Sequence, residues 1–208
     1  MYQPTDPITT ADALGALFVE MHPSQVNKVI DRIDDHLRAW IACTTFVSIA
    51  SCDDRGNMDV SPKGDPAGFM KVLDEKTLVV PDRIGNQRAD TFLNVLVNPR
   101  VGMMLVVPQR KEVVRINGAA EVVRDPALLD MTIVNGHRPD LALLVRVEEA
   151  FFHCGKAMIR SAMWQPEKWG SIEGLPTYAE ALKDHGAMDT PLADIEARMA
   201  YNESDRLY

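Results

Sequence analysis

The 208-residue chain is 46% hydrophobic and 25% charged, a globular balance that excludes wholesale disorder and allows one sizeable core, with length pointing to one domain. Its 22 basic residues against 30 acidic ones leave a formal charge of −8, which excludes a general nucleic-acid binder, since phosphate contacts need clustered Lys and Arg. The acid is uneven: from Gln165 to Tyr208 nine Asp and Glu stand against four Lys and Arg, so this stretch is expected to be a solvated acidic surface over a nearly neutral body.

A short helix is predicted over Ala11 to Met21. A longer one should follow Pro23-Ser24, because Val26, Val29, Ile30, Ile33, Leu37, Trp40 and Ile41 fall on one face of a 3.6-residue period. From Thr44 to about His153 the pattern changes to short strands. Thr44 to Ala50 is β-branched and apolar, Asp53-Asp54-Arg55-Gly56-Asn57 reads as a turn, and Met58 to Ser61 returns as the hairpin partner. Phe69 to Leu73 and Thr77 to Val80 form a second pair around Asp74-Glu75-Lys76. Val101 to Val107 and Glu112 to Val123 are longer strands joined through Pro108 to Lys111, and Leu141 to Phe152 is the last.

Two helices interrupt the strands. One is expected from about Gln87 to Val97, stopped by Asn98-Pro99; the other starts at Asp125-Pro126, a cap followed by proline. A final helix is expected at Thr190-Pro191, within loop and short helix draped over the body. Consecutive strands without βαβ alternation predict an α+β chain built on a small closed antiparallel sheet rather than a doubly wound one. Three cysteines (Cys43, Cys52, Cys154) form no CxxC pair, which suits buried, unbridged thiols in a reducing compartment. No signal-like start and no apolar run of roughly 18 residues is present, so the chain reads as soluble and cytoplasmic.

The common catalytic signatures HExxH, GxSxG, the Walker loop and GxGxxG are missing, and the five histidines have no metal-ligand spacing, so no metal site is expected. His153-Cys154 is better read as a packed thiol beside a hydrogen-bonded imidazole than as a catalytic pair, since strand neighbours face opposite ways. Three other stretches are not explained by core packing. Ser61-Pro62-Lys63-Gly64-Asp65 ends a strand with small residues that admit a ligand to the backbone and a lysine that can reach it; a turn with a solvated lysine is the plainer reading. Pro81-Asp82-Arg83-Ile84-Gly85-Asn86-Gln87-Arg88 places two arginines and two amides at a predicted helix start, which suits an anion, or else caps a solvated helix. In the stretch Phe152 to Trp164, Lys156 and Arg160 are four apart on a predicted helix, with Trp164 one turn on. That surface suits a planar anionic ligand or the rim of a dimer interface.

Taken together, the SPKGD run at Ser61 to Asp65, the PDRxGNxR run at Pro81 to Arg88 followed by Asn98-Pro99-Arg100-Val101, and the HCxKAxxRSxxW run at His153 to Trp164 resemble the FMN-binding split-barrel proteins related to pyridoxamine 5′-phosphate oxidase, in their FMN-dependent branch. The resemblance covers about Thr44 to Trp164. It implies a six-stranded, Greek-key-like split barrel with peripheral helices, working as a homodimer with two FMN molecules at the interface. In such proteins the strand at Ser61, Pro62 and Lys63 lies along the isoalloxazine. The loop with Pro81, Asp82, Arg83, Asn86, Gln87 and Arg88 holds the ribityl chain and phosphate, Arg88 as the main anchor and Arg83 as a weaker one. Lys156, Arg160, Ser161 and Trp164 would approach the flavin from the second subunit.

Two departures stand out. The Arg-x-His pair that grips pyridoxal phosphate in the oxidase has no counterpart between Ser161 and Tyr208, and Met58 stands where the oxidase has an arginine on its flavin-contacting strand. Oxidation of pyridoxamine phosphate is therefore not implied. The organisation expected is an N-terminal helical segment (1–43), an FMN-binding split barrel (44–164) and a C-terminal extension (165–208). The function expected is an FMN-dependent oxidoreductase acting on a small molecule, with a flavin-binding carrier or sensor as the alternative and a dimerisation domain with a vestigial pocket as a third reading.

Overall fold

A computed structural model describes residues 1–208. Two short helices open it, α1 (Ala11–Gly15), capped by the Thr10 hydroxyl, and α2 (Pro23–Asn27), and neither buries a residue. The predicted 11–21 helix thus closes after Gly15, and the predicted long helix from Val26 to Ile41 is divided. Ile30 and Ala150 exchange two backbone hydrogen bonds of 3.1 and 2.7 Å as an isolated bridge, and the Ile33 N–H donates to the Glu75 carbonyl at 2.7 Å. These bonds take the backbone out of a helix. The Asp34 carboxylate then accepts the Leu37 N–H at 2.9 Å and starts α3 (Asp35–Cys43), which buries Leu37 and Ile41 as the periodicity requires.

The strands follow the expected order. β1 (Phe46–Cys52) and β2 (Met58–Gly64) are joined by a turn in which the Asp53 carboxylate accepts the Arg55 and Asn57 N–H groups. A bond from the Asn57 side chain, followed by those backbone bonds, favours the charged form and holds the Asp53 carboxyl below its usual range. β3 (Lys71–Val72) is only two residues long and pairs with β4 (Thr77–Pro81); α4 (Asp90–Val97), β5 (Arg100–Val106), β6 (Val113–Val123), α5 (Pro126–Asp130) and β7 (Ala142–His153) complete the body. After it come α6 (Lys156–Arg160), a 3₁₀ turn (Pro166–Lys168), α7 (Tyr178–His185) and α8 (Leu192–Asp205).

All strands join one antiparallel sheet in the order β2-β1-β5-β6-β7-β4-β3, the seven read from the sequence against the six that the resemblance implied, with the expected Phe69–Leu73 strand shortened to the two residues of β3. The β3–β4 hairpin lies between β2 and β5 in sequence but pairs through β4 with β7 at the far side of the sheet, a Greek-key-like crossing. The inward residues Val47 and Ile49 of β1 nevertheless share one core cluster with Leu78 and Val80 of β4 and with Leu37 and Ile41 of α3. The sheet therefore curls around that core as a split barrel, and the class is α+β. β4 is buried along its whole length because its other face is also covered: Val79 packs with Leu129 of α5 and with Ala142 and Leu144 of β7.

All three cysteines are unbridged, but Cys43 and Cys154 are exposed and Cys52 is half-buried, which corrects the expectation of buried thiols. Cys154 follows the end of β7, where the ladder no longer covers it. No helix is long and apolar enough to cross a membrane.

Candidate functional site

The edge strand β2 alternates strictly: Asp59, Ser61, Lys63 and Asp65 are half-buried, whereas Met58, Val60, Pro62 and Gly64 are exposed. Opposite it, β4 ends at Pro81 paired with Ala142, and the Asp82 N–H continues the ladder to the Leu141 carbonyl at 3.0 Å. The chain then runs through an irregular loop into α4. Between these two segments lies a pocket of about 550 Å³. Ser61, Pro62, Lys63, Pro81, Asp82, Arg83, Asn86, Gln87 and Arg88 all line it, so two motifs some twenty residues apart in sequence converge on one cavity. Its apolar walls are Phe69, Ile84, Phe92 and Leu141, which the sequence reading did not single out. Phe92 lies three residues before the buried Val95 on α4, a helical spacing that offered a signal; Leu141 is brought in only by strand pairing.

Three cations in the pocket face two carboxylates, and each cation has a different status. Lys63 Nζ lies 3.0 Å from Asp82 Oδ1 and 4.9 Å from the centre of the Phe92 ring, with 18% of its side chain exposed. Arg83 is committed inward: Nε donates to Asp65 Oδ2 at 2.5 Å and Nη2 to the Thr132 carbonyl at 2.7 Å. The Asp65 side chain is 2% exposed, so this is a buried charge that needs its partner. Asp65 also accepts the Tyr208 hydroxyl at 2.7 Å, and ionisation of that phenol beside the carboxylate is penalised, which raises the Tyr208 pKa above the usual tyrosine range.

Arg88 is the outward cation, 74% exposed, with Nε 2.7 Å from Asp90 Oδ2; that partner favours the charged guanidinium and raises its pKa. The expected helix start at Gln87 is displaced to Asp90. Gln87 adopts φ 60°, in the left-handed region, and the Asn86 side chain accepts the Arg88 N–H at 3.0 Å, so Arg88 sits on the loop before the helix.

The third motif is elsewhere. Lys156 and Arg160 share α6, but Ser161 caps that helix and Ala162 turns to φ 51°, so Trp164 does not continue their face. Its indole N–H donates instead to the Arg110 carbonyl at 2.7 Å. Lys156, Arg160, Ser161 and Trp164 do not line the pocket of their own chain. His153 ends β7, both it and Cys154 are exposed, and the hydrogen bond expected of the imidazole is not made.

The family model described as pyridoxamine 5′-phosphate oxidase matches residues 33–154. No curated protein matches the chain. Among solved structures, HupZ of Group A Streptococcus is 21% identical with a TM-score of 0.47 and covers 58% of this chain and 93% of its own. A protein of Lactobacillus delbrueckii assigned as a pyridoxamine 5′-phosphate oxidase is 21% identical with a TM-score of 0.46, covering 59% and 95%. HutZ of Vibrio cholerae, a heme storage protein, is 16% identical with a TM-score of 0.40, covering 59% and 94%.

Proposed function

The chain belongs to the pyridoxamine 5′-phosphate oxidase family, and from that premise we propose that the pocket binds FMN and that the protein is an FMN-dependent oxidoreductase acting on a small molecule. The family includes FMN-binding proteins. One observation carries the reading: the SPKGD and PDRxGNxR residues line a single pocket whose volume lies in the range usual for small-molecule sites. The donor set fits the cofactor. Apolar walls (Phe92, Ile84, Leu141) suit a planar ring, whereas Arg88 and the amides of Asn86 and Gln87 suit a terminal phosphate. Ser61 and Lys63 would lie along the ring and ribityl chain. When bound, FMN supplies hydride or electron transfer. The chain's own residues bind it, orient it and shield one face from water. Arg83 supports the loop rather than the phosphate in this scheme, because its Nε and Nη2 already hold Asp65 and Thr132 and its side chain is largely buried.

The expected result is a yellow protein that takes up FMN in preference to FAD, since the pocket offers cations for one terminal phosphate and the sequence has no dinucleotide fingerprint. Reconstitution of flavin-free protein followed by extraction tests this; recovery of FAD, or of no flavin, overturns it. Anaerobic addition of NADH or NADPH and then a panel of acceptors separates an oxidoreductase from a carrier or sensor that keeps its flavin oxidised.

A homodimer belongs to the same proposal. Lys156, Arg160, Ser161 and Trp164, which do not line the pocket of their own chain, would approach its flavin from a second copy, and Met58 and Val60 on β2 and, separately, Leu93 and Leu96 on α4 leave apolar side chains in water. Light scattering at micromolar concentration is expected to give a dimer, burying more than about 2,000 Å². A monomer that still holds flavin excludes a shared site.

A further inference from the structure

We infer that Tyr208 is a positioning residue of the pocket: through Asp65 and Arg83 it latches the 82–89 loop in the conformation that forms the site. This inference rests on the reading of that pocket as the ligand site and deepens it. The observation is a network around one buried carboxylate that joins four segments: the end of β2, the 82–89 loop, the α5–β7 loop and the segment after α8. Asp65, at the end of β2, is almost fully buried and accepts two charge-assisted hydrogen bonds, one from Arg83 in the loop and one from the Tyr208 hydroxyl on the segment after α8. Arg83 in turn donates to the Thr132 carbonyl beyond α5. The Tyr208 ring stacks on His137 at a centroid distance of 5.8 Å and an interplanar angle of 25°, and it lies 5.8 Å from the Arg83 guanidinium carbon.

The geometry makes the loop depend on the tail. A buried carboxylate with one donor removed keeps part of its desolvation cost unpaid, so the Asp65–Arg83 pair gains freedom to reopen towards water. Arg83 adjoins Asp82, whose carboxylate meets Lys63, so loosening it moves two of the three pocket cations. The sequence around Tyr208 carries no motif for this. The residue acts on the site without lining it: the pocket's wall is Asp65 and Arg83, and Tyr208 stands behind them.

Hydrogen–deuterium exchange on flavin-free protein tests the latch directly, with Tyr208→Phe removing only the hydroxyl and Tyr208→Ala removing the ring as well. The backbone amides of residues 83–88 are expected to exchange at least threefold faster in Tyr208→Phe and faster still in Tyr208→Ala, while those of β5 and β6 are unchanged. In a second arm, FMN is expected to dissociate at least threefold faster from Tyr208→Phe than from the parent protein. Unchanged exchange at 83–88 in both variants overturns the latch, and so does a uniform acceleration across the sheet, which would make Tyr208 a general stabiliser. Failure of the parent protein to bind FMN overturns the flavin reading instead, and the exchange arm still decides the latch.

Discussion

Replacing Arg88 with alanine is expected to weaken FMN binding by roughly tenfold to a hundredfold, the loss of one charge-assisted bond to a phosphate, and to leave riboflavin binding nearly unchanged. Arg88 is the pocket cation most able to turn towards a ligand. It lies on the loop before α4, and its one carboxylate partner, Asp90, is itself partly in water. An exposed ion pair of this kind is screened and easily exchanged for a better anion. Arg83 differs in kind. Its guanidinium is bound to a buried carboxylate and a carbonyl, so Arg83→Ala should impair FMN and riboflavin alike by releasing the loop, which revises the expectation of a weaker copy of Arg88. Fluorescence-quenching titrations with both flavins separate the roles. Equal loss of FMN and riboflavin in Arg88→Ala would show that this arginine holds the loop or the ring and would end its assignment to the phosphate.

Gly118→Ala is expected to cost at least about 3 kcal/mol of stability, the upper end of what overpacking usually costs. Gly118 stands at the register shift where β7 bulges against β6, with Glu148 as the extra residue, and a Cβ there would lie 1.9 Å from the Arg146 carbonyl oxygen and 3.0 Å from its carbon. Both obstacles are backbone, so no side-chain rotation relieves them, and the eleven-residue β6 must shift against the twelve-residue β7 at the centre of the sheet. For a chain of this size the loss corresponds to a fall in Tm of about 6–12 °C. Gly102→Ala is the control: its Cβ would meet only the Asn117 side-chain oxygen, at 3.4 Å, an ordinary contact. A Gly118→Ala protein melting within about 2 °C of the parent would mean that the bulge relaxes at little cost.

Local order was legible in the residues themselves. The β1–β2 turn, the capped start of α5 and the strand order along the chain all follow from neighbours within a few positions, because turn chemistry, capping and two-residue alternation are short-range effects. The SPKGD and PDRxGNxR stretches were legible as ligand-facing for a similar reason: small residues, amides and cations at strand ends are poorly used by a core. That the two stretches share one pocket was implied by the family resemblance and not by their own residues, since β2 and β4 are not neighbours in the sheet and only its curl brings their ends together.

Tertiary structure also decided which cation does what. Arg83 and Arg88 were both read as phosphate ligands, differing only in strength, yet one meets the buried Asp65 and the other faces water, a difference set by burial and not by residue type. The same holds where the helical period from Val26 to Ile41 gave way. Ile30 and Ile33 found backbone partners 120 and 42 residues away, at Ala150 and Glu75, and hydrogen bonds made across the fold outweigh a modest local preference for helix. Sequence by itself therefore determined the kinds of element and the chemistry concentrated between them. The pairing of distant strands, and the burial that pairing imposes on each charge, decided which of those groups remain free to meet a ligand.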